Sequence, residues 1–367
     1  MELFKSECDR YTREQYSARE AQRMAELIAW GPVAFQVSRL MVKFGILDLL
    51  RDSTDGLTRG QLKERTGLSD YALKILLEAS LSIGTVLIDK DTDTYTISKM
   101  GWFMLNDPAT RVNIDLNHDI NYRGMFHLEE SLKEGRPAGL KTLGDWPTIY
   151  EGLSHLTEQE KESWMNFDHF YSDVSFDAAL EIVFAKHPKH LMDVGGNTGL
   201  FALRCVGYDK DVNVTIVDLP GQLGMMRENI AGKTGAERIS GFPTNILDTA
   251  NQLPEGNWDA IWMSQFLDCF SEEEILSILK RAAKAMNANT TLYIMESFWN
   301  RQKYEPASLC LTLTSVYFTV MANGNSKMYH SDDIIGLLDR AGLTLVAVHD
   351  NIGQCHTILE VKLKKEQ

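Results

Sequence analysis

The sequence predicts an α/β fold in which an all-helical, winged-helix domain precedes a doubly wound parallel sheet that ends in an antiparallel hairpin. From His187 onward, β-rich segments alternate with amphipathic helical segments, a pattern typical of a parallel sheet with helices on both faces. The last two β-rich segments follow each other without a helix, which predicts an antiparallel pair. Before His187 the chain has helical periodicity and one short hairpin signal.

A chain of 367 residues is long enough for about two domains and a connector. We place a helical winged-helix dimerisation domain at residues 1–110, a helical connector at 111–185 and the sheet domain at 186–367.

Composition narrows the class of protein. The chain has 37 Lys and Arg against 51 Asp and Glu, a formal net charge of −14, which opposes a nucleic-acid or anionic-membrane partner. No apolar run reaches the length of a membrane span, and the N-terminus lacks the features of a signal peptide. The cysteines have no Cys-x-x-Cys pair and predict free thiols in the cytoplasm, not a metal site; they are Cys8, Cys205, Cys269, Cys310 and Cys355.

The N-terminal region predicts a self-association surface. Residues 1–20 are polar and read as an arm or first helix. Residues 19–50 are strongly apolar with helical periodicity, and Gly31-Pro32 splits them into two helices. These helices carry more apolar surface than a small domain can bury, so we expect a homodimer interface.

Residues 58–97 predict a winged helix-turn-helix: a helix, a glycine turn, a helix over 70–83 capped by Ser69, and a hairpin of 85–88 with 94–97. Such a module can bind DNA. The recognition-helix position, residues 69–78, carries one Lys and two acids, which is poor for phosphate contact. This composition argues against DNA binding by the module.

In the connector, residues 156–184 predict a helix with an aromatic stripe. Such a stripe is either core or the wall of a ligand pocket, and the residues alone leave both open; they are Trp164, Phe167, Phe170, Tyr171 and Phe176.

The sheet domain is predicted segment by segment. Strands are expected near residues 190–195, 212–218, 238–241, 258–264, 291–297, 343–349 and 355–363, with helices at 199–206, 221–231, 271–286 and 331–340. Ligands of such sheets bind beyond the carboxyl ends of the central strands. Asp193, Asp218 and Ser264 stand at such ends.

The stretch His190–Leu200 predicts a strand, a glycine turn and a helix start. Its glycines, Gly195, Gly196 and Gly199, permit positive φ and close backbone approach, but their spacing matches neither a dinucleotide fingerprint nor a phosphate loop. An acid before the turn, Asp193, suits a ligand with an ammonium group, and S-adenosylmethionine is the candidate. An ordinary strand–helix turn is the alternative.

Asp218 ends the next strand, about 20 residues beyond the turn, where an acid can accept ribose hydroxyls. It can also cap the following helix, which Pro220 would begin, and the two roles are compatible.

Three segments, Asp193–Gly199, Val217–Pro220 and Trp258–Ser264, resemble class I S-adenosylmethionine-dependent O-methyltransferases. The resemblance is closest to the group that includes plant caffeate-type enzymes and bacterial antibiotic and hydroxyneurosporene methyltransferases, and it covers nearly the whole chain. It implies a Rossmann-like methyltransferase sheet, S-adenosylmethionine as cofactor, a small-molecule acceptor and a homodimer formed through the N-terminal domain.

The resemblance also implies roles for particular residues. Leu219 and Ser264 join the acids and glycines at the cofactor, and Asn245 stands where the family has an acid near adenine, with Asp248 as the alternative. Phe167 and Tyr171 match a helix beside the acceptor. Residues 301–330 would cover the acceptor, although plain helix packing or a dimer face fits them equally.

The catalytic motif departs from the family. Where the family has a catalytic His after the fourth strand, this chain has Asp268, followed by Cys269 and Phe270. One of the two acids that frame that His matches Glu296, whereas the other falls at Met328 and is lost. An exposed Asp, of pKa about 4, is a weak base for a phenol of pKa about 10, but burial can raise the pKa of the Asp.

Other bases are conceivable, and the nearest by chain position are His169 and His330. The first hypothesis is O-methylation of a small hydrophobic, aromatic or polyene-like hydroxylated acceptor by Asp268 and Glu296. The alternatives are a relative that retains the cofactor but hydroxylates or decarboxylates, which the missing His motivates, and a ligand-sensing DNA-binding protein built on the winged helix.

Overall fold

The structure is a computed structural model that describes residues 11–365, except for the side chains of residue 169 and of residues 171–173. The chain divides into two compact units, one formed by Arg13–Asp119 and the other mainly by Ile120–Gln367.

The first unit is helical with a small sheet, as predicted. Gly31 and Pro32 begin α2 and separate it from α1. The sheet has a third strand that the sequence did not predict, and its order is β1-β3-β2. The elements are α1 (Ala18–Ala29), α2 (Gly31–Lys43), α3 (Ile46–Arg51), β1 (Leu57–Thr58), α4 (Arg59–Thr66), α5 (Asp70–Ile83), β2 (Val86–Asp89), β3 (Thr94–Ile97), α6 (Lys99–Asn106) and α7 (Pro108–Leu116).

The winged-helix pattern has local causes that the sequence displays. Gly67 takes φ +71° after α4, a left-handed conformation that ends the helix. The Ser69 side chain accepts a hydrogen bond from the Ala72 backbone N–H, 3.1 Å away, and so caps α5.

The second unit begins with short helices that lead to the sheet. They are α8 (Tyr122–Gly124), α9 (Leu128–Glu134), α10 (Ile149–Gly152), α11 (Glu158–Ser172) and α12 (Phe176–Phe184). The single helix expected over residues 156–184 is wrong, because a 3₁₀ turn at Asp173–Ser175 separates α11 from α12. The break has a long-range cause, since the buried Ser175 hydroxyl is hydrogen-bonded to Nδ1 of His356 at 2.8 Å.

The seven-stranded sheet has the order β6-β5-β4-β7-β8-β10-β9. The five strands from β6 to β8 are parallel, and β10 runs antiparallel to both β8 and β9, which confirms the doubly wound sheet with its terminal hairpin. Its elements are β4 (His190–Val194), α13 (Leu200–Tyr208), β5 (Asn213–Asp218), α14 (Pro220–Ile230), β6 (Ile239–Pro243), β7 (Ala260–Ser264), α15 (Glu272–Ala285), β8 (Thr291–Glu296), α16 (Glu305–Tyr317), α17 (Ser331–Arg340), β9 (Leu343–Ile352) and β10 (His356–Leu363).

Apolar cores on the sheet hold the strand ends in register. The strand residues Trp262 and Tyr293 are almost fully buried, and Trp262 stacks on Phe201 of α13 with ring centroids 4.4 Å apart. Burial of this kind fixes which residues arrive at the carboxyl edge of the sheet. Among residues 11–365, no helix combines the length and apolar character needed to cross a bilayer.

Candidate active site

The glycine turn closes tightly over the end of β4. Gly195 and Gly199 take φ of +79° and +78°, and Asn197 takes φ of 48°. A Cβ added to Gly196 would lie 2.6 Å from Oδ2 of Asp193, so only glycine lets the backbone approach this carboxyl group. The predicted positive-φ turn is present.

Asp193 is buried beneath that turn. Its side chain is only 2% exposed, and its Oδ2 atom has no hydrogen-bond partner among the described residues. Burial, reinforced by the nearby charge of Asp218, raises the pKa of Asp193 to about 8. A buried carboxyl oxygen without a partner is costly and calls for a bound hydrogen-bond donor.

Asp218 joins the end of β5 to the turn. Its Oδ2 atom accepts a hydrogen bond from the Asn197 backbone N–H at 2.8 Å, and its Oδ1 atom accepts one from Leu219 N–H at 2.7 Å. Burial raises the pKa of Asp218, while these two bonds oppose the rise. The carboxylate thus supports the start of α14 and faces the same edge as Asp193.

The other predicted cofactor positions lie on the same edge. Ser264 ends β7 and is half-buried, whereas Asn245 is exposed and its Oδ1 accepts Leu247 N–H at 3.0 Å. Oδ1 of Asp248 accepts Ala250 N–H at 3.0 Å and so serves its own loop. The loop is held by Arg281, whose guanidinium donates to Ile246 O at 2.6 Å.

These features fit S-adenosylmethionine. The partnerless Oδ2 atom of Asp193 offers an acceptor near the turn, and a second carboxylate stands at the end of the neighbouring strand. The turn also adjoins the segment that follows β7, because a Cβ on Gly195 would lie 2.3 Å from the ring of Phe266. Phe266 stands two residues before Asp268.

A cavity of about 70 Å³ lies beside Asp268. Aromatic and aliphatic side chains dominate its wall, together with two carboxyl groups. The lining residues are Tyr150, Trp164, Phe167, Asp168, Gln265, Asp268, Cys269, Ser297, Leu311, Thr314, Tyr317, Phe318 and Met328. Five of them, from Leu311 to Met328, come from the 301–330 segment, so this insertion forms part of the cavity wall.

Asp268 sits in a 3₁₀ turn, Leu267–Cys269, directly after β7. It is 7% exposed, and burial, together with the nearby charge of Asp168, raises its pKa to about 7. Its Oδ1 atom accepts a weak hydrogen bond from Sγ of Cys269 at 3.5 Å. Burial therefore brings this carboxyl group into the range of a useful general base at neutral pH.

Glu296, at the end of β8, holds that turn in place. Its Oε1 atom accepts hydrogen bonds from the backbone N–H groups of Phe266 at 3.0 Å and Leu267 at 2.8 Å. Its Oε2 atom is buried and has no hydrogen-bond partner among the described residues. Burial first, and then the charge of Asp268, raise the pKa of Glu296 well above its usual value.

Of the two histidine candidates, only His330 has a described side chain. His330 is absent from the described lining of the cavity; its Nδ1 atom accepts Asp332 N–H at 3.1 Å and caps α17, so it is not placed as a base. The side chains of His169 and Tyr171 lie outside the described residues. Phe167 lines the cavity.

Sequence reasoning missed several residues of the wall, among them Tyr150, Gln265 and Asp168. Tyr150 lies in a part of the connector where no pocket residue was predicted, and Gln265 takes a positive φ of 45° after β7. Asp168 follows Phe167 directly, so the acid beside a predicted pocket residue was the available signal.

A parallel sheet with a glycine turn, two acids at its ligand edge and an adjoining aromatic cavity defines a nucleoside-cofactor enzyme with an apolar acceptor pocket. Comparison with known proteins identifies the family. Residues 126–344 match the O-methyltransferase domain model, and residues 22–95 match the Dimerisation2-like domain model. The chain belongs to the O-methyltransferase family and is an S-adenosylmethionine-dependent methyltransferase.

The relatives span most of the chain. The L-tyrosine C(3)-methyltransferase of Streptomyces lavendulae is 22% identical over 83% of this chain and 82% of its own length. The demethylspheroidene O-methyltransferase of Rhodobacter capsulatus is 24% identical over 90% of this chain and 78% of its own. The crystal structure of the S-adenosylmethionine-dependent methyltransferase SibL superposes with a TM-score of 0.71 at 22% identity, covering 92% of this chain and 98% of that one. These relatives favour methyl transfer over the two alternative functions.

Proposed function

We propose that this protein transfers a methyl group from S-adenosylmethionine to a hydroxyl oxygen of a small hydrophobic, aromatic or polyene-like acceptor, with Asp268 as the general base. The observation that carries the proposal is a buried carboxyl group, of pKa raised to about 7, in the wall of a largely aromatic cavity next to the glycine turn.

Different residues would bind different parts of the cofactor. When bound, S-adenosylmethionine supplies an activated methyl group on a sulfonium. Asp193 would hold the ammonium end through its partnerless oxygen, directly or through water, and Asp218 would accept the ribose hydroxyls. Gly195, Gly196 and Gly199 give the backbone clearance, and the exposed Leu219 and Asn245 would line the remaining edge with the half-buried Ser264.

Asp268 would take the proton of the acceptor's hydroxyl group. The hydroxyl oxygen of the acceptor would attack the methyl carbon in line with the breaking carbon–sulfur bond. A base of pKa about 7 is a better match for a phenol of pKa about 10 than an exposed carboxylate is. Glu296 would act as a positioning residue, because it ties down the backbone of the turn that carries Asp268. The aromatic walls exclude water and orient the acceptor.

The acceptor class follows from the wall and is supported by the relatives. Trp164, Phe167 and Tyr317 supply aromatic rings to the wall, which suits a flat, apolar molecule. The cavity of about 70 Å³ is smaller than the roughly 150 Å³ that encloses a benzene, so an aromatic acceptor must displace side chains of the wall.

We further propose that the protein is a cytoplasmic homodimer. The Dimerisation2-like match at residues 22–95 and the exposed Ile28, Trp30 and Val33 support association through the N-terminal domain of residues 1–110. Residues 111–185 would then connect this domain to the sheet domain of 186–367 and supply Tyr150, Trp164 and Phe167 to the acceptor pocket.

The test combines calorimetry with product analysis. Wild type and Asp193→Ala are titrated with S-adenosylmethionine and S-adenosylhomocysteine, and wild type is then incubated with para-cresol, catechol, naphthol and a hydroxylated carotenoid. We expect binding that the variant loses, and an O-methyl product identified by mass spectrometry and NMR. Binding without methyl transfer to any of these acceptors would contradict the proposed acceptor class, and a ring-methylated product would contradict transfer to oxygen.

A further inference from the structure

A hydrogen-bonded chain of three side chains leads into the wall of the acceptor cavity. Oη of Tyr150 lies 3.3 Å from Sγ of Cys269 and donates to it. Sγ of Cys269 lies 3.5 Å from Oδ1 of Asp268 and donates in turn. Tyr150 and Cys269 are 119 residues apart in the sequence, so these hydrogen bonds connect α10 to the turn after β7.

We propose that Tyr150 and Cys269 are positioning residues for the base. Tyr150 donates to one lone pair of the sulfur, which directs the S–H proton to Oδ1 of Asp268 and leaves Oδ2 to receive the acceptor's proton. This inference rests on the proposed role of Asp268 as the general base.

When Asp268 is ionised, the donor and acceptor chemistry of these groups allows one direction only. An ionised carboxylate accepts hydrogen bonds and cannot donate, whereas a thiol and a phenol can do both. Burial raises the pKa of Cys269 and of Tyr150, so both retain their protons at neutral pH. The proton of Tyr150 therefore faces the sulfur, and the proton of Cys269 faces the carboxylate.

The charges around Asp268 explain why a neutral donor matters here. Among the residues whose side chains the structure describes, the other ionisable groups that face Asp268 or Cys269 are carboxyl groups and phenols, and the described lining has no Lys, Arg or His. These groups are Tyr150 of α10, Asp168 of α11, Glu296 of β8, Tyr317 of α16 and Tyr329 before α17. A donor without charge stabilises the ionised form of Asp268 and adds no further acid to the site.

The proposal predicts a graded set of pKa changes at Asp268. Cys269→Ala removes the donor and should raise its pKa by about half to one unit, the size of one net hydrogen bond. Cys269→Ser should lower it, since a hydroxyl is a stronger donor to a carboxylate than a thiol. Tyr150→Phe should raise it by less, because the thiol remains but loses its orientation.

The experiment is an NMR titration of the full-length protein with carboxyl-labelled aspartate, in which Asp268→Asn identifies the resonance. Cys310→Ser, a thiol change outside the described lining of the cavity, is the matched control and should leave the titration unmoved. Cys269→Ser is a conservative change that should retain the fold. It therefore keeps the inference testable if Cys269→Ala fails to fold.

Because the titration needs no acceptor, its outcome is separate from the methyl-transfer test. A pKa of Asp268 that is higher than wild type in Cys269→Ala and lower in Cys269→Ser would support the inference, even if none of the acceptors tested were methylated. Identical titrations for wild type, Cys269→Ala and Cys269→Ser would overturn it. A shift in Cys269→Ala with none in Tyr150→Phe would overturn the part assigned to Tyr150.

Discussion

Nε1 of Trp164 donates a hydrogen bond to Oη of Tyr317 at 2.8 Å, and this bond joins α11 to α16 at the wall of the cavity beside Asp268. Both rings line the cavity, and Tyr317 is almost fully buried. Because the bond links the connector to the 301–330 insertion, it sets the spacing between these two segments in the wall.

Tyr317→Phe should therefore loosen the acceptor site. It leaves a poorly solvated indole N–H without its partner, which should cost about 1–3 kcal/mol of unfolding free energy and raise the KM for the acceptor while leaving cofactor affinity near wild type. Denaturant unfolding and initial-rate kinetics measure these quantities. Trp258→Phe is the control, because Trp258 donates to Pro254 O at 2.9 Å outside the described lining; an equal rise in KM there would count against the account.

Asp218→Ala should weaken cofactor binding. The substitution removes the acceptor that holds Asn197 N–H and the acceptor proposed for the ribose, so we expect a loss of about tenfold to a hundredfold in affinity for S-adenosylmethionine by calorimetry. Asp259→Ala is a matched control, since Asp259 accepts Lys189 and His190 N–H groups at the opposite edge of the sheet. Equal losses in both variants would indicate general destabilisation instead of a lost ribose contact.

Asp193 should reduce the stability of the cofactor-free protein as the pH rises. The pKa of Asp193 is about 8 in the folded protein and about 4 in an unfolded chain. Between these two pH values the carboxyl group is ionised in the unfolded state but stays protonated in the folded state, which favours unfolding. The folded protein loses stability through this window until the pH exceeds 8. Asp193→Asn should be more stable than wild type at pH 8, by an amount that shrinks toward pH 5, yet bind the cofactor worse. Denaturant titrations at both pH values check this, and a pH-independent difference would contradict it.

Acceptor charge should matter as well. Asp168 and Asp268 line the cavity, and the described lining contains no basic side chain. Among acceptors of similar shape, para-hydroxyphenylacetate should therefore be methylated at least about tenfold less efficiently in kcat/KM than para-cresol, a cost of about 1.4 kcal/mol for bringing an anion to buried acids. Asp168→Asn should narrow that difference. Preference for the anionic acceptor would show that the wall is not acidic during catalysis.

The parts of the site that the sequence predicted are those set by neighbouring residues. The turn from Gly195 to Gly199 and the acids Asp193 and Asp218 lie within single strand–turn–helix units, whose spacing reads directly from the chain. From the sequence alone, burial of Asp268 could be stated only as a condition for its role as a base. It could not be predicted, because the helices that cover Asp268 come from distant segments.

The parts that escaped prediction depend on long-range packing. Tyr150 reaches Cys269 across 119 residues, and no local pattern encodes that contact. The helix expected over residues 156–184 breaks because Ser175 bonds to His356 of β10, which is 181 residues away. His330 seemed available as a base by chain position, but its ring nitrogen caps the helix that it precedes.

The most direct measurement of the central claim is the rate of S-adenosylhomocysteine formation by wild type and by Asp268→Asn, across pH, on the best acceptor among those proposed. The wild-type rate should rise with pH through about 7, as Asp268 ionises. Asp268→Asn should bind S-adenosylmethionine normally, lose the pH dependence and slow by about a hundredfold or more. A variant that keeps the wild-type rate and pH profile would contradict Asp268 as the base.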